Sequence, residues 1–297
     1  MKKLIYVVLM VVASTGLVQA KDVGSASAQF LAIQPGARAN GMGEVGVSLV
    51  NDVSASYWNP AGLVEIERME IGLTHMLYIQ SLGYDNVSYA VPMGKYGTLA
   101  VSVLALYSGK IDKTTEDSAG NYVATNDTFN TMESAISLGY GVKIMQNCAF
   151  GVNFKTISQR IGDVSASGFA GDVGAKYNVS DSIKAGLAVQ NIGPAIKGDS
   201  LPTVVKAGCH TSIRSLIIAV DGDYALAGGM SYGAGAEYSI MKMLFIRGGY
   251  NTRSNVSGMS GLHAGVGFNL KGVVVDYALL LYGNLGNSHV MSVGMKF

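Results

Sequence analysis

The chain has 297 residues, a formal net charge of +1 and no basic block, which argues against nucleic acid or another polyanion as partner. Only 14% of residues are charged and 49% are hydrophobic, whereas a soluble domain usually carries about a quarter charged residues. A soluble enzyme therefore fits poorly, and no apolar run beyond the N-terminus approaches the roughly 20 residues of a membrane-spanning helix.

In chain order, Met1-Lys2-Lys3 precedes an apolar run from Leu4 to Val12, then small residues and Val18-Gln19-Ala20. A basic start, a short apolar core and a small-x-small ending predict an export signal over residues 1–20, cleaved near Ala20, with the mature chain starting at Lys21. No Cys follows the apolar core, so a lipid anchor is not expected. Residues 21–68 are rich in Gly and Ala, contain Asn59-Pro60 and lack strand alternation. They are read as a hatch or plug inside a barrel or at its periplasmic mouth.

From residue 69 onward, alternation with period two recurs, the mark of half-buried strands. Leu99, Val101, Val103, Ala105 and Tyr107 make one apolar face, as do Phe150, Val152 and Phe154 opposite Asn153 and Lys155. Fourteen strands are predicted, starting near Met69, Tyr84, Gly97, Met132, Asn147, Ser165, Ser182, Thr203, Ser215, Ser231, Met243, Gly261, Gly272 and Asn287. The connections at Gly94-Lys95-Tyr96, Met145-Gln146, Ser180-Asp181, Arg214, Met241-Lys242 and Lys271-Gly272 are tight. Gly109–Thr131, Gly193–Pro202 and Thr252–Ser260 are longer and fall in the opposite set. An even strand count with short turns on one side and long loops on the other predicts an all-β fold, a transmembrane antiparallel barrel over residues 69–297. The final Met291, Val293, Met295 and Phe297 form an alternating strand with a terminal aromatic, resembling the C-terminal strand recognised during barrel assembly.

Strand parity places Lys155, Lys176, Lys184, Lys206, Arg247, Asp172, Asp221, Glu237 and Asp276 inside, because charges facing lipid are costly. Mixed signs predict internal ion pairs. Tyr107, Tyr177, Tyr238 and Tyr250 fall near strand ends, as an interfacial aromatic girdle requires. Cys148 and Cys209 both fall on the apolar face and are read as small lipid-facing side chains rather than a disulfide.

Catalytic and cofactor signals are weak. Gly41-Met42-Gly43-Glu44-Val45-Gly46 matches G-x-G-x-x-G, but Gly36-Ala37-Arg38-Ala39-Asn40 before it is no buried strand, so a dinucleotide site is rejected. His75, His210, His263 and His289 lack metal-ligand spacing, and Asp221-Gly222-Asp223 is read as ordinary lumenal polarity. No catalytic residue, cofactor or metal is expected.

The block Gly36-Ala37-Arg38-Ala39-Asn40-Gly41-Met42-Gly43, with Trp58-Asn59-Pro60-Ala61-Gly62-Leu63 downstream, resembles the PorV/PorQ family within the FadL-like superfamily of fourteen-stranded outer-membrane barrels. A second match is Ala188-Val189-Gln190-Asn191-Ile192-Gly193-Pro194, followed by Leu201-Pro202. The resemblance implies a hatch motif at Gly41, Gly43, Trp58, Asn59, Pro60 and Ala61, and a loop motif at Asn191, Gly193, Pro194, Leu201 and Pro202. It also implies a non-enzymatic outer-membrane component of a type IX-like protein-secretion system. Its partners would be outer-membrane lipid and secretion-machinery proteins or exported cargo. The alternative it leaves open is a FadL-like channel for hydrophobic small molecules, gated by the hatch. The two readings differ in the lumen: a continuous apolar pocket suits transport, a closed and ion-paired lumen suits protein contacts.

Overall fold

The computed structural model describes residues 26–253 and 260–297. The expected export signal and the first residues of the hatch segment, 21–25, lie outside the described residues, as does the stretch 254–259. No helix among the described residues is long and apolar enough to cross a membrane; the crossing elements are strands.

Among the described residues, sixteen strands follow a short N-terminal region that includes two α-helical turns, α1 (Ala37–Gly41) and α2 (Ala55–Trp58). They are β1 (Glu70–Leu77), β2 (Gly83–Pro92), β3 (Thr98–Tyr107), β4 (Ile111–Glu116), β5 (Tyr122–Phe129), β6 (Thr131–Met145), β7 (Cys148–Ile161) and β8 (Val164–Asn178). There follow β9 (Ile183–Ile192), β10 (Val204–Ile213), β11 (Leu216–Ala225), β12 (Gly229–Ile240), β13 (Leu244–Asn251), β14 (Leu262–Leu270), β15 (Val273–Leu281) and β16 (Asn287–Lys296). All but β4 and β5 pair antiparallel in one closed fourteen-stranded barrel. Closure runs through β1 and β16, with Glu70 opposite Lys296 and Leu77 opposite His289. Each expected strand start lies close to an observed one.

The alternation seen in the sequence sorts side chains between membrane and lumen. On β3, Val101 is 47% exposed and Ala100 only 1%. Tyr107, Tyr177, Tyr238 and Tyr250 all face outward near strand ends. Cys148 and Cys209 are free thiols, on the outward parity expected for them. One rim carries tight turns; Met241 and Lys242 both adopt positive φ (52° and 57°), as do Lys271 and Gly272 (50° and 92°), the conformation that suits twisted hairpins. The opposite, loop rim carries the long connections. There the span Gly109–Thr131, expected as plain loop, holds a hairpin of its own: β4 pairs with β5 outside the barrel sheet. Its strands carry charges and hydroxyls without a sustained apolar face (Ile111-Asp112-Lys113-Thr114-Thr115-Glu116), so period-two reasoning misses it.

Residues 26–66 lie inside the barrel, not at its mouth. Ser27 N–H donates to Ser200 O at the loop rim, while Glu65 reaches Lys176 and Lys184 near the turn rim. Phe30, Leu31, Trp58 and Leu63 of this segment form one apolar core with Met76, Tyr84, Leu104, Leu280 and Val290 of the wall.

The backbone of the segment rests directly on inward-facing glycines. Gly141, Gly151 and Gly174 are successive cross-strand partners on β6, β7 and β8. A Cβ on any of them would fall within 3.0 Å of Asn59, Pro60, Ala61 or Leu63. Gly235 and Gly249, also cross-strand partners, make the same approach to Met42, and Gly186 to Val47. A bare wall is therefore required wherever the segment crosses. Gly174→Ala should destabilise the folded barrel by about 1–3 kcal/mol through overpacking. Gly248→Ala, on the outer face with no atom near its Cβ, should leave the unfolding midpoint in detergent unchanged. Equal midpoints for the two variants would show that the segment does not rest on the wall.

Candidate functional site

The chemistry of this protein is concentrated where the N-terminal segment meets the lumenal wall. Buried polar groups there need hydrogen-bond partners. The wall supplies many of them from inward parity positions.

Arg38 on α1 donates twice to Glu237 of β12, Nε to Oε2 at 2.9 Å and Nη2 to Oε1 at 2.8 Å. Glu237 also accepts from Arg247 Nε at 2.7 Å, and Arg247 Nη1 donates to Asp276 at 2.6 Å. Two cations and two anions thus close one network between the segment and β12, β13 and β15. Nearby, Arg253 joins Glu44 at 3.1 Å and also pairs with Asp223, which accepts Lys206 at 3.1 Å. The Lys206 ammonium stands 5.1 Å from the centre of the Trp58 ring, a cation–π contact. Asp221 accepts the backbone N–H groups of Gly46 (2.6 Å) and Val47 (2.9 Å). Asp221 is therefore occupied in holding the segment, and Asp223 in pairing Lys206 and Arg253 of the barrel. Among the described residues there is no cluster of three or more groups fit to hold a metal.

The expected hatch residues come together. Trp58 is fully buried and its Nε1 donates to Pro35 O at 3.0 Å. Asn59 Nδ2 donates to Val47 O (2.9 Å) and Ala175 O (3.1 Å), so one amide joins two parts of the segment to β8. Its Oδ1 accepts from Ala61 N, capping the helical turn that Pro60 begins. Gly43 takes φ +79° and its carbonyl accepts from Asn251, while Gly41 packs on Gly265. Tyr57, beside Trp58, has its phenol pushed up by burial, so it stays neutral and donates to Leu31 O at 2.9 Å.

The loop residues gather only in part. Asn191, at φ +59°, donates to Pro202 O at 3.1 Å and accepts from Lys155 Nζ at 2.8 Å. Lys155 also pairs with Asp172 at 2.9 Å, and Asp172 accepts Asn191 N–H at 2.8 Å. Leu201 is buried in the core and Gly193 lies against Phe169 O, but Pro194 is exposed and joins nothing central. Sequence reasoning missed Arg38, Glu44 and Glu65 as partners of the wall, and Arg253 as the barrel's partner for Glu44. A lone Arg within a run of small residues was the one available signal.

Glu65 bridges Lys176 (2.8 Å) and Lys184 (2.9 Å). Burial works to raise its pKa, but the two ammoniums prevail and hold the carboxyl below its usual range. Several recesses remain. One of about 410 Å³ opens at the loop rim beside Gln29, Tyr57, Lys206 and Arg253. Another, about 220 Å³, opens toward the turn rim beside Arg38, Glu70 and Asp276. These two share no lining residue, and paired charges line both.

A closed fourteen-stranded barrel with an apolar exterior and a plugged, charged interior is an outer-membrane β-barrel. Residues 17–209, more than half of the chain, match the family described as type IX secretion system protein PorV, and the chain belongs to that family. No curated protein matches its sequence. Among solved structures, the toluene transporter TbuX of Ralstonia pickettii is similar over 88% of this chain and 98% of its own, with TM-score 0.61 and 15% identity. The monoaromatic hydrocarbon channel CymD covers 89% and 98%, with TM-score 0.65 and 14% identity. The Pseudomonas putida toluene transporter TodX covers 94% and 99%, with TM-score 0.65 and 11% identity. At such identities the likeness is one of fold.

Two outcomes follow from the clamps. Glu237→Ala takes from Arg38 its carboxylate partner and from Arg247 one of two partners, and should cost about 3–5 kcal/mol in unfolding free energy, the usual result of breaking a buried pair. An effect below about 1 kcal/mol would mean that the network carries no load. For Glu65, a depressed pKa means that its contribution is complete above the ordinary carboxylate range and is lost as pH falls through the lowered value. Trp58 is the only tryptophan, so its emission reports on the segment. Acidification should red-shift it, and Glu65→Gln should abolish the pH step; a step that survives in the variant assigns it to another group.

Proposed function

We propose that this protein is a non-enzymatic outer-membrane component of a type IX-like protein-secretion system that acts through protein contacts. The observation that carries the reading is the plugged lumen: salt bridges at Glu237, Glu44 and Glu65 fasten the segment to the wall in addition to its apolar packing. Membership of the PorV family supports the same reading. In this proposal the chain divides into an export signal (1–20), a fixed hatch (21–68) and the barrel (69–297). Gly41, Gly43, Trp58, Asn59, Pro60 and Ala61 seat the hatch. Asn191, Gly193, Leu201 and Pro202 fasten the loop above it, while Pro194 stays exposed. The tight-turn rim faces the periplasm and the loop rim faces outward, as in bacterial barrels generally. Membrane lipid surrounds the wall, and secretion-machinery proteins or exported cargo meet the loop rim.

A FadL-like channel for hydrophobic small molecules is the second reading. It is favoured by the recess of about 410 Å³ at the loop rim, whose lining includes Leu31, Tyr57 and Met230. Comparing the surface and periplasmic proteomes of a deletion strain with its parent separates the two. Particular exported proteins should accumulate in the periplasm, and the same spectra should place the mature N-terminus at Lys21. Unchanged export, with slower uptake of a labelled hydrocarbon, would replace the secretion reading with the channel.

A further inference from the structure

The lumenal cations described above are matched by carboxylates of their own. Arg38 and Arg247 meet Glu237 and Asp276, Arg253 and Lys206 meet Glu44 and Asp223, and Lys155 meets Asp172. At one corner of the turn rim the balance fails. There Lys143, Lys176 and Lys184 line a recess of about 100 Å³ that holds a single carboxylate, Glu65. Register brings them together: Lys143 on β6 lies opposite Ala149, Ala149 opposite Lys176, and Lys184 on β9 opposite Asn178 of β8. The short, buried Ala149 leaves room between Lys143 and Lys176, whose Cα atoms stand two strand spacings, roughly 10 Å, apart. Lys176 Nζ donates to Val50 O and pairs with Glu65 Oε1, and Lys184 Nζ donates to Glu65 Oε2. An ammonium carries three donors, so each of these two keeps N–H groups without an acceptor. Lys143 forms no ion pair among the described residues.

We propose that this recess binds the carboxylate of an acidic peptide, bridged between Lys143 and Lys184 as Glu65 is bridged between Lys176 and Lys184. Three observations choose the ligand. Three ammoniums face one carboxylate, so the uncommitted donors call for an anion. Glu65 already shows which group suits two of them, and its own charge disfavours a phosphate dianion beside it. The side-chain amides of Gln146 and Asn178, which also line the recess, can bond the peptide groups flanking that carboxylate. Attraction at longer range comes from the rim, whose turns carry Lys95, Arg214, Lys242 and Lys271 against one acid, Asp181. An acidic segment approaching this mouth is drawn in before the recess engages it.

The site deepens the protein-contact reading and rests on it only for the compartment that the turn rim faces. Binding itself is measured on the purified protein in a neutral detergent. A dansylated hexa-aspartate peptide should bind, seen as a rise in anisotropy, and its hexa-asparagine counterpart should not. Lys143→Glu should weaken binding at least ~10-fold, and Lys143→Gln should change it in the same direction. Lys242→Glu, the same charge change on a turn outside the recess, should weaken it less than ~3-fold, since salt screens a distant charge. Lys143 is exposed and makes no ion pair, so Lys143→Gln should keep the unfolding midpoint of the parent. No peptide binding, undiminished binding by Lys143→Glu, equal losses for Lys143→Glu and Lys242→Glu, or displacement of the peptide by inorganic phosphate at equal concentration would each overturn the proposal. Any of these leaves the secretion reading to the proteome comparison. Unchanged export in the deletion strain removes that reading and leaves the measured site.

Discussion

Contact between one irregular segment and the inner wall governs this structure. An irregular backbone inside a membrane barrel must find a hydrogen-bond partner for every polar group it buries. Residues 26–66 find many of these partners by lying against strands rather than spanning an open pore. Contact so close is possible only where the wall has no Cβ, as along Gly141, Gly151 and Gly174. Many of the glycines that distinguish the composition are explained by this contact.

Charge completes the arrangement. A plug in the lumen takes many inward charges out of bulk water, yet the wall needs polar groups to hold the plug. Here the two needs are met together. Glu237 serves Arg38 of the segment and Arg247 of the wall, and Lys176 serves Glu65 and Val50 O. Such networks contribute modest net stability, because desolvation offsets much of the attraction, but removing one member is costly. They therefore fix where the segment lies more than how tightly it is held. A lumen closed in this way has little room for a continuous apolar path, which is the physical reason for preferring protein contacts over small-molecule passage.

The exterior repeats the lesson at lower polarity. Lipid dictates Val101, Phe154 and Val266 on outward positions. The hydrogen-bonded His75–Asp85–Tyr107 group breaks that rule, and isolated histidines in the sequence gave no hint of it. Each residue is unremarkable alone, and only strand register makes them neighbours.

Much was legible in the sequence. Period-two alternation gave the fourteen strands and their inward charges, because lipid on one side and a packed lumen on the other impose opposite chemistry on successive residues. The small-residue blocks lie in the segment that packs inside the barrel. The β4–β5 hairpin was missed, since solvent on both faces leaves no alternation to detect. Only the tertiary structure decided which charges pair, that the segment runs from the loop rim to the turn rim, and which glycines receive it. Those facts depend on contacts between residues as far apart as Arg38 and Glu237, or Asn59 and Ala175. A periodic pattern records which side of a strand a residue faces, whereas the partner across the lumen is set by barrel closure and register, which no local stretch of sequence encodes.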